Sequence, residues 1–233
     1  MSTSLNPEFN AYAEQYDTAL QGGLSISGET KDYFARGRIN WLAQRLGELN
    51  LRPRSVLDFG CGTGTSVPLL LGFEGVERLT GVDVSENSLA IARTQHGSEC
   101  ACFSLIADHR PEGDIDLAFC NGVFHHISPA ERAGCVKYVF DCLRPGGLFA
   151  FFENNPWNPG TRLVMSRIPF DRDAVTLSPP ESRRLVASAG FKVLRTDFLF
   201  FFPRFLALLR RLEATFCSIP LGAQYLVLAR KAG

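Results

Sequence analysis

Val56-Leu57-Asp58-Phe59-Gly60-Cys61-Gly62-Thr63-Gly64 is the stretch from which the rest of the chain can be read. A short apolar run, Ser55–Phe59, ends on glycines at alternate positions, and residues 63–71 follow with the character of a helix. The order is buried strand, tight turn, helix. Glycine allows such a turn to take positive φ and lets a ligand approach backbone that a side chain would screen. The helix that follows offers free N–H groups at its amino end. A second strand, Arg78–Asp83, closes on an acid nineteen residues beyond Gly64, where a carboxylate can accept both hydroxyls of a ribose.

The alternation continues outward from this unit. Upstream, residues 12–20 and 31–49 read as helices separated by a glycine-rich segment, 21–28. Within the second, Phe34, Ile39, Leu42 and Leu46 recur near helical spacing. Downstream, Ser85 reads as the cap of a helix, with Ser88 where a capping box would have an acid. Residues 103–108 and 115–120 read as the third and fourth strands, joined by a loop with no helix. Ser128 then caps a helix over 129–143 with Pro129 at its first position, and Arg144-Pro145-Gly146-Gly147 is a tight turn into a strand at 148–152. Ser178-Pro179-Pro180-Glu181 opens another helix ending at Gly190. Residues 191–202 and 223–230 are two last strands without a helical crossover. Repeated βα units imply an open, mostly parallel sheet that binds ligands at the carboxyl ends of its strands.

Composition bounds the function. The 233 residues are about one and a half typical domains, and a doubly wound sheet of this size is expected to stay one domain. Hydrophobic residues make up 45% and charged residues 21%, an ordinary globular mix. Lysine plus arginine (24) equals aspartate plus glutamate (24), which argues against nucleic acid as a partner. Seven cysteines, an odd number without metal-ligand spacing, imply a reduced, cytoplasmic protein with no metal. The polar start, residues 1–9, does not read as a signal peptide, and the apolar stretch 198–202 is far short of the ~20 residues of a membrane helix. A soluble protein is expected.

A dinucleotide site would place its third glycine at position 65, which is Thr65 here. Gly60, Gly62 and Gly64, with Asp58 before them, instead resemble motif I of the class I S-adenosylmethionine-dependent methyltransferases. Thr80-Gly81-Val82-Asp83-Val84-Ser85 resembles their second motif. Asp116-Leu117-Ala118-Phe119-Cys120-Asn121-Gly122-Val123-Phe124-His125-His126-Ile127 is similar to motif IV of the ubiquinone and menaquinone methyltransferase branch. Leu143-Arg144-Pro145-Gly146-Gly147 is similar to the turn before that family's fifth strand. The resemblance covers residues 56–152. It implies a doubly wound, Rossmann-like α/β sheet of seven strands with the last antiparallel, which would account for the unusual carboxyl-terminal strand pair.

It also implies S-adenosylmethionine as cofactor. The residues that would touch it are Asp58, Gly60, Cys61, Gly62 and Gly64 in the first turn, Asp83 and Val84 after the second strand, Asp108 and His109 after the third, and Asn121 after the fourth. Arg38 resembles an arginine that relatives aim at the cofactor carboxylate, and Tyr16 resembles a lid tyrosine. Each has a plainer reading: a turn glycine, a loop-orienting acid, a turn cap at Asp108, a surface arginine, a packing tyrosine.

Methyl transfer to a hydroxyl benefits from a base, and His126 and His125, at the carboxyl edge, are the candidates, with Glu153 a second choice. The expected reaction is methylation of a small or amphipathic metabolite at oxygen. N- or C-methylation, and a silent cofactor-binding or scaffolding module, are the alternatives. Residues 1–50 are read as an amino-terminal helical lid, 51–152 as the cofactor core, and 153–177 and 203–222 as substrate-side insertions. In the last, Phe205, Leu208, Leu209 and Leu212 can share a helical face, flanked by Arg204, Arg210 and Arg211. That segment would cover the sheet, close over a small-molecule or lipid-linked acceptor, or form a homodimer contact.

Overall fold

Every residue of β1 (Ser55–Phe59) is buried, as a strand covered on both faces must be. The computed structural model describes residues 28–171 and 174–233, so Tyr16 and the helix expected over 12–20 lie outside the described residues. Around β1 the chain adds α1 (Lys31–Glu48), α2 (Val67–Leu71), β2 (Arg78–Asp83), α3 (Glu86–His96), β3 (Ala101–Leu105) and β4 (Ile115–Asn121). It continues with α4 (Arg132–Cys142), β5 (Leu143–Asn154), α5 (Pro159–Met165), α6 (Pro179–Ser188), β6 (Phe191–Leu199), α7 (Glu213–Phe216) and β7 (Gln224–Lys231). Among the described residues three 3-10 helices intervene, at Phe124–His126, Pro169–Asp171 and Arg204–Leu212.

The strands lie in the order β3-β2-β1-β4-β5-β7-β6. The first five pair in parallel, and β7 runs antiparallel between β5 and β6. This is the doubly wound α/β sheet that was expected. The winding reverses at β1, which is flanked by β2 and β4, so a crevice opens at the carboxyl ends of β1 and β4. Alternate residues of β5 feed the two cores: Phe149 and Phe151 pack on the side of α4 and α6, Ala150 and Phe152 on the side of α1 and α2.

Helix α1 is fastened to the far end of the sheet by a buried acid. Asp197 on β6, 2% exposed, accepts from Arg45 Nε at 2.7 Å and Trp41 Nε1 at 2.8 Å through Oδ2, and from Arg195 Nε at 2.8 Å through Oδ1. The guanidinium of Arg45 also lies 4.4 Å from the Trp41 ring centroid. One carboxylate thus sets where α1, and with it Arg38, meets the sheet.

Several boundaries differ from expectation. α2 begins at Val67 rather than at residue 63, because Gly62 and Gly64 have φ of +52° and +80°, outside the helical region. β3 begins at Ala101 and ends at Leu105, which leaves Asp108 in a turn beyond it. α4 starts at Arg132, since the Ser128 hydroxyl meets Glu131 Oε2 at 2.6 Å instead of capping helix N–H groups. The Arg144–Gly147 turn is absorbed into β5, where the register against β4 shifts between Ile115 and Leu117. β6 stops at Leu199 because Phe200 has φ of +62°.

The segment 203–222 is not the covering helix that was one expectation. Its 3-10 helix turns the apolar side outward, with Phe205 82% and Leu208 92% exposed. Its polar side faces in: Arg210 pairs with Glu29 at 2.8 Å, and Glu213 Oε1 accepts from the N–H groups of Phe201 and Phe202 at 3.1 Å each. No helix among the described residues is long and apolar enough to cross a membrane.

Removing the Asp197 anchor takes from the buried Arg45 cation its one buried counter-charge among the described residues and leaves it the half-exposed Glu48. Asp197→Ala is expected to lower stability by about 3 kcal/mol, read as a shift in the urea midpoint with little change in slope. A loss below about 1 kcal/mol would show that α1 is held by its apolar face alone.

Candidate functional site

The three glycines after β1 all have positive φ, yet they do different work. A Cβ on Gly60 would lie 2.4 Å from Val123 Cγ2, and one on Gly64 would lie 2.8 Å from His96 Cδ2. A Cβ on Gly62 would meet no atom within 4 Å. Gly60 and Gly64 therefore permit close packing, while Gly62 keeps open a cradle at the crevice. The turn is tied to β2: Gly60 and Cys61 N–H groups donate to Val82 O at 2.8 and 3.1 Å, and Gly62 N–H donates to Asp83 Oδ2 at 2.8 Å. Asp83 Oδ1 accepts from Ser85 N–H at 2.9 Å. Burial raises the Asp83 pKa, and these backbone donors oppose the rise. A carboxylate has about four acceptor sites, so the two used here leave others for a diol.

Asp58 is buried beneath the turn, and its Oδ2 has no hydrogen-bond partner among the described residues. Burial, and then the neighbouring charge of Asp83, push its pKa up to about 7. Asn121 Oδ1, at the end of β4, likewise lacks a partner among the described residues. Orphaned buried acceptors mark places where a ligand supplies the donor. The open cradle, the two orphaned oxygens and the spare capacity of Asp83 together fit S-adenosylmethionine, which carries an ammonium and a ribose diol.

On the next loop, Phe124–His126 forms a 3-10 turn held from below by Glu153. Glu153, 1% exposed, accepts from Phe124 N–H at 2.8 Å through Oε1 and meets His125 Nδ1 at 2.7 Å through Oε2. From the other side Asp171 Oδ1 stands 3.5 Å from His125 Nε2 and 3.3 Å from His126 Nε2. Burial alone would lower the His125 pKa, but the Glu153 and Asp171 carboxylates carry it up to about 10. Burial would raise Asp171, but hydrogen bonds from His125 and His126 hold it below the usual carboxylate range.

A cavity of about 370 Å³ runs from the end of β4 to the histidine loop: Arg38, Asn121, Gly122, His125, His126 and Asp171 all line it. Arg38 Nη1 donates to Gln224 Oε1 at 2.9 Å on its rim. Other expected residues stand elsewhere. Asp108 and His109 line a separate groove of about 500 Å³ with Arg78 and Thr80, and His109 Nδ1 meets the Tyr138 hydroxyl at 2.6 Å. The Cys61 thiol is buried against Gly62 O, which pushes its pKa up, and Val84 is exposed. Glu153 does not line the cavity and both its oxygens are engaged, so it positions His125 and is not placed to act as a base. His125, held at both ring nitrogens, is poorly placed for proton abstraction as well. Asp171 was not singled out from the sequence. Neither were the aromatic residues Phe200, Phe201 and Phe202, which line the cavity with Met165 and Ile168.

Comparison with known proteins agrees with this geometry. Residues 56–147 match the family described as a methyltransferase domain. The chain is 38% identical to trans-aconitate 2-methyltransferase of Acidovorax sp. (strain JS42) over 98 residues, which are 42% of this chain and 37% of that enzyme. It is 25% identical to carboxy-S-adenosyl-L-methionine synthase of Campylobacter concisus (strain 13826) over 197 residues, covering 74% of this chain and 83% of that one. Thus the chain spans little more than a third of the length of the Acidovorax relative. In fold it is similar to an S-adenosylmethionine-dependent methyltransferase from Mesorhizobium loti, with a TM-score of 0.58 and 20% identity over 77% of this chain and 91% of that one. Residues 56–147 thus match a methyltransferase domain, and the fold resembles that of a solved S-adenosylmethionine-dependent methyltransferase.

Two outcomes follow for the turn. Gly62→Ala is expected to cost about 1 kcal/mol of stability for its φ, yet to weaken cofactor binding more than tenfold in calorimetry by filling the cradle. Gly60→Ala, whose Cβ would collide with Val123, is expected to show the larger loss on denaturation. Equal affinity of the Gly62 variant and the parent would refute the cradle.

Asp58 supplies a pH dependence. Its folded pKa, about 7, lies above the 3.8 of the unfolded chain, so the stability it contributes is complete below about 4 and lost as pH rises through 7. Asp58→Asn should flatten the fall in melting temperature between pH 4 and 8, whatever its absolute effect. Parallel curves for the two proteins would mean that Asp58 is ionised throughout.

Proposed function

We propose that the protein transfers a methyl group from S-adenosylmethionine to a small amphipathic acceptor, at oxygen, in the cavity that ends on His126. The observation that carries this reading is the continuity of that cavity: the same space touches Asn121 and Gly122 beside the glycine turn and His126 and Asp171 at its other end. When bound, the cofactor supplies a methyl carbon made electrophilic by its sulfonium. What the chain adds is position, dryness and control of a proton.

The glycine turn, Asp58, Asp83 and Asn121 are the residues that would hold the cofactor. Arg38, on α1, stands near Asn121 on the cavity wall and would meet a carboxylate there. Phe34, Phe200 and Phe201 pack the wall with Met165 and Ile168, so an acceptor bound there loses water around its apolar body. Such walls suit an apolar ring or chain better than the trans-aconitate in the name of the Acidovorax relative. His126, 15% exposed and backed by Asp171, is the member of the histidine pair that can reach an acceptor's hydroxyl, and a proton to be managed there favours oxygen as the methylated atom.

The test is transfer of label from methyl-labelled S-adenosylmethionine to a panel of hydroxylated aromatic and aliphatic small molecules, with carbon and amine acceptors that lack a hydroxyl alongside. Labelled ether or ester product supports the reading, and label on nitrogen or carbon alone overturns the choice of oxygen. With a working acceptor, His126→Ala is expected to lower turnover about a hundredfold and to leave cofactor affinity within twofold. Unchanged turnover would remove His126 from contact with the acceptor.

A further inference from the structure

The His125–His126–Asp171 cluster holds more chemistry than one hydrogen-bonded imidazole requires. One ring nitrogen of each histidine and a carboxylate oxygen of Asp171 lie within 4.8 Å of one another. Nε2 of His126 and Nε2 of His125 stand 3.3 and 3.5 Å from Asp171 Oδ1. Donors bound to a transition metal at 2.0–2.1 Å stand about 3.3 Å apart on a tetrahedral edge and about 4.2 Å apart across an octahedron. The cluster is thus near the size that coordination demands, with a small contraction between the rings, whose centroids are 4.1 Å apart.

The surroundings are those of a ligand set. A metal-binding imidazole donates its other ring nitrogen to a carboxylate or carbonyl, which fixes its tautomer and its aim. His125 does this: Nδ1 meets Glu153 Oε2 at 2.7 Å, leaving Nε2 directed at the cluster. Glu153 is itself fixed by Phe124 N–H at 2.8 Å, so the ring has little freedom to turn away. His125 is 3% and Asp171 7% exposed, and all three residues face the 370 Å³ cavity, which leaves the remaining coordination positions open to a small molecule. Two imidazoles and one carboxylate form a borderline donor set, suited to zinc, cobalt, manganese or ferrous ions and too rich in nitrogen for calcium or magnesium.

We propose that His125, His126 and Asp171 bind one divalent first-row transition-metal ion, and that this ion holds the reacting oxygen of the acceptor. The first part stands on the cluster alone; the second rests on the methyl-transfer reading. With the ion in place, His126 reaches the acceptor through the metal, and a hydroxyl bound there loses its proton to solvent more readily than a free one. The acceptors favoured are those with a second oxygen beside the first, able to chelate.

The full-length protein, freed of metal by chelator and dialysis, is titrated with cobalt(II) and followed by its visible d–d absorption. One saturable equivalent of nitrogen- and oxygen-bound cobalt, displaced by zinc, is expected. Asp171→Asn and His126→Asn should each weaken binding at least a hundredfold, and Glu153→Gln tenfold to a hundredfold, with the melting temperature of the metal-free proteins compared in parallel. No saturable band, a sulfur charge-transfer band from cysteine, or undiminished affinity in both Asp171→Asn and His126→Asn would overturn the site. These readouts need no turnover, so they are separate from the fate of the methyl-transfer reading. For an acceptor shown to be methylated, loss of turnover on metal removal and its return with zinc or manganese supports the second part. Turnover indifferent to the chelator would overturn it.

Discussion

The hydrogen bond from Gly62 N–H to Asp83 Oδ2 is the constraint on which the site depends, because it joins the ends of two adjacent parallel strands through a single carboxylate. In a parallel sheet the strand ends are free, and nothing in the ladder itself dictates how the next turn leaves. Here the end of β2 dictates it, since Val82 O receives the N–H groups of Gly60 and Cys61, and Asp83 receives those of Gly62 and Ser85. The turn can then pass through three left-handed residues without fraying, and the space above Gly62 remains open. Asp58, sealed beneath, is pushed toward its neutral form first by burial and then by the charge of Asp83 nearby.

The cavity's other end obeys the same logic with a different acid. Glu153 closes β5 from within, and by accepting from Phe124 N–H and His125 Nδ1 it turns a loop into a fixed platform. Buried carboxylates are costly unless fully engaged. In this fold the engaged ones, Asp83, Glu153 and Asp197, each fix one flexible piece: the glycine turn, the histidine pair and helix α1. The carboxylate that is not fully satisfied, Asp58, lies where a ligand is expected.

The central sheet was legible in the sequence wherever local rules and burial agreed. β1 and β2 fall on the residues expected, since short apolar runs bounded by turn residues have few alternatives. Ser128-Pro129 misled as a helix start because a nearby Glu131 takes the serine hydroxyl, a competition that propensity cannot weigh. The outward face of Phe205 and Leu208 misled too: periodicity says which residues share a side, not which way that side points. Half of the site was readable in the same sense. Gly60 to Gly64, Asp83, His125 and His126 lie in one continuous run of βα units, whereas Asp171 stands 45 residues beyond His126 and joins it only through the fold of the long connection after β5. The sequence places Asp108 at the end of a strand, whereas β3 ends three residues earlier, at Leu105, and Asp108 lines the groove beside Arg78 and Thr80.

That long connection has a consequence for how such a protein can change over generations. The residues that would face a cofactor lie between 58 and 122, beside the buried strands of the sheet, where most substitutions disturb the core. Much of the opposite wall is drawn from residues 158–171 and 200–205, outside the sheet, where side chains such as Leu163 and Phe205 are exposed. Mutational drift is therefore cheap on one wall of the cavity and expensive on the other. A lineage built this way can reshape one wall of its cavity while the turn after β1 stays still, and proteins alike in that turn can come to bear quite different names.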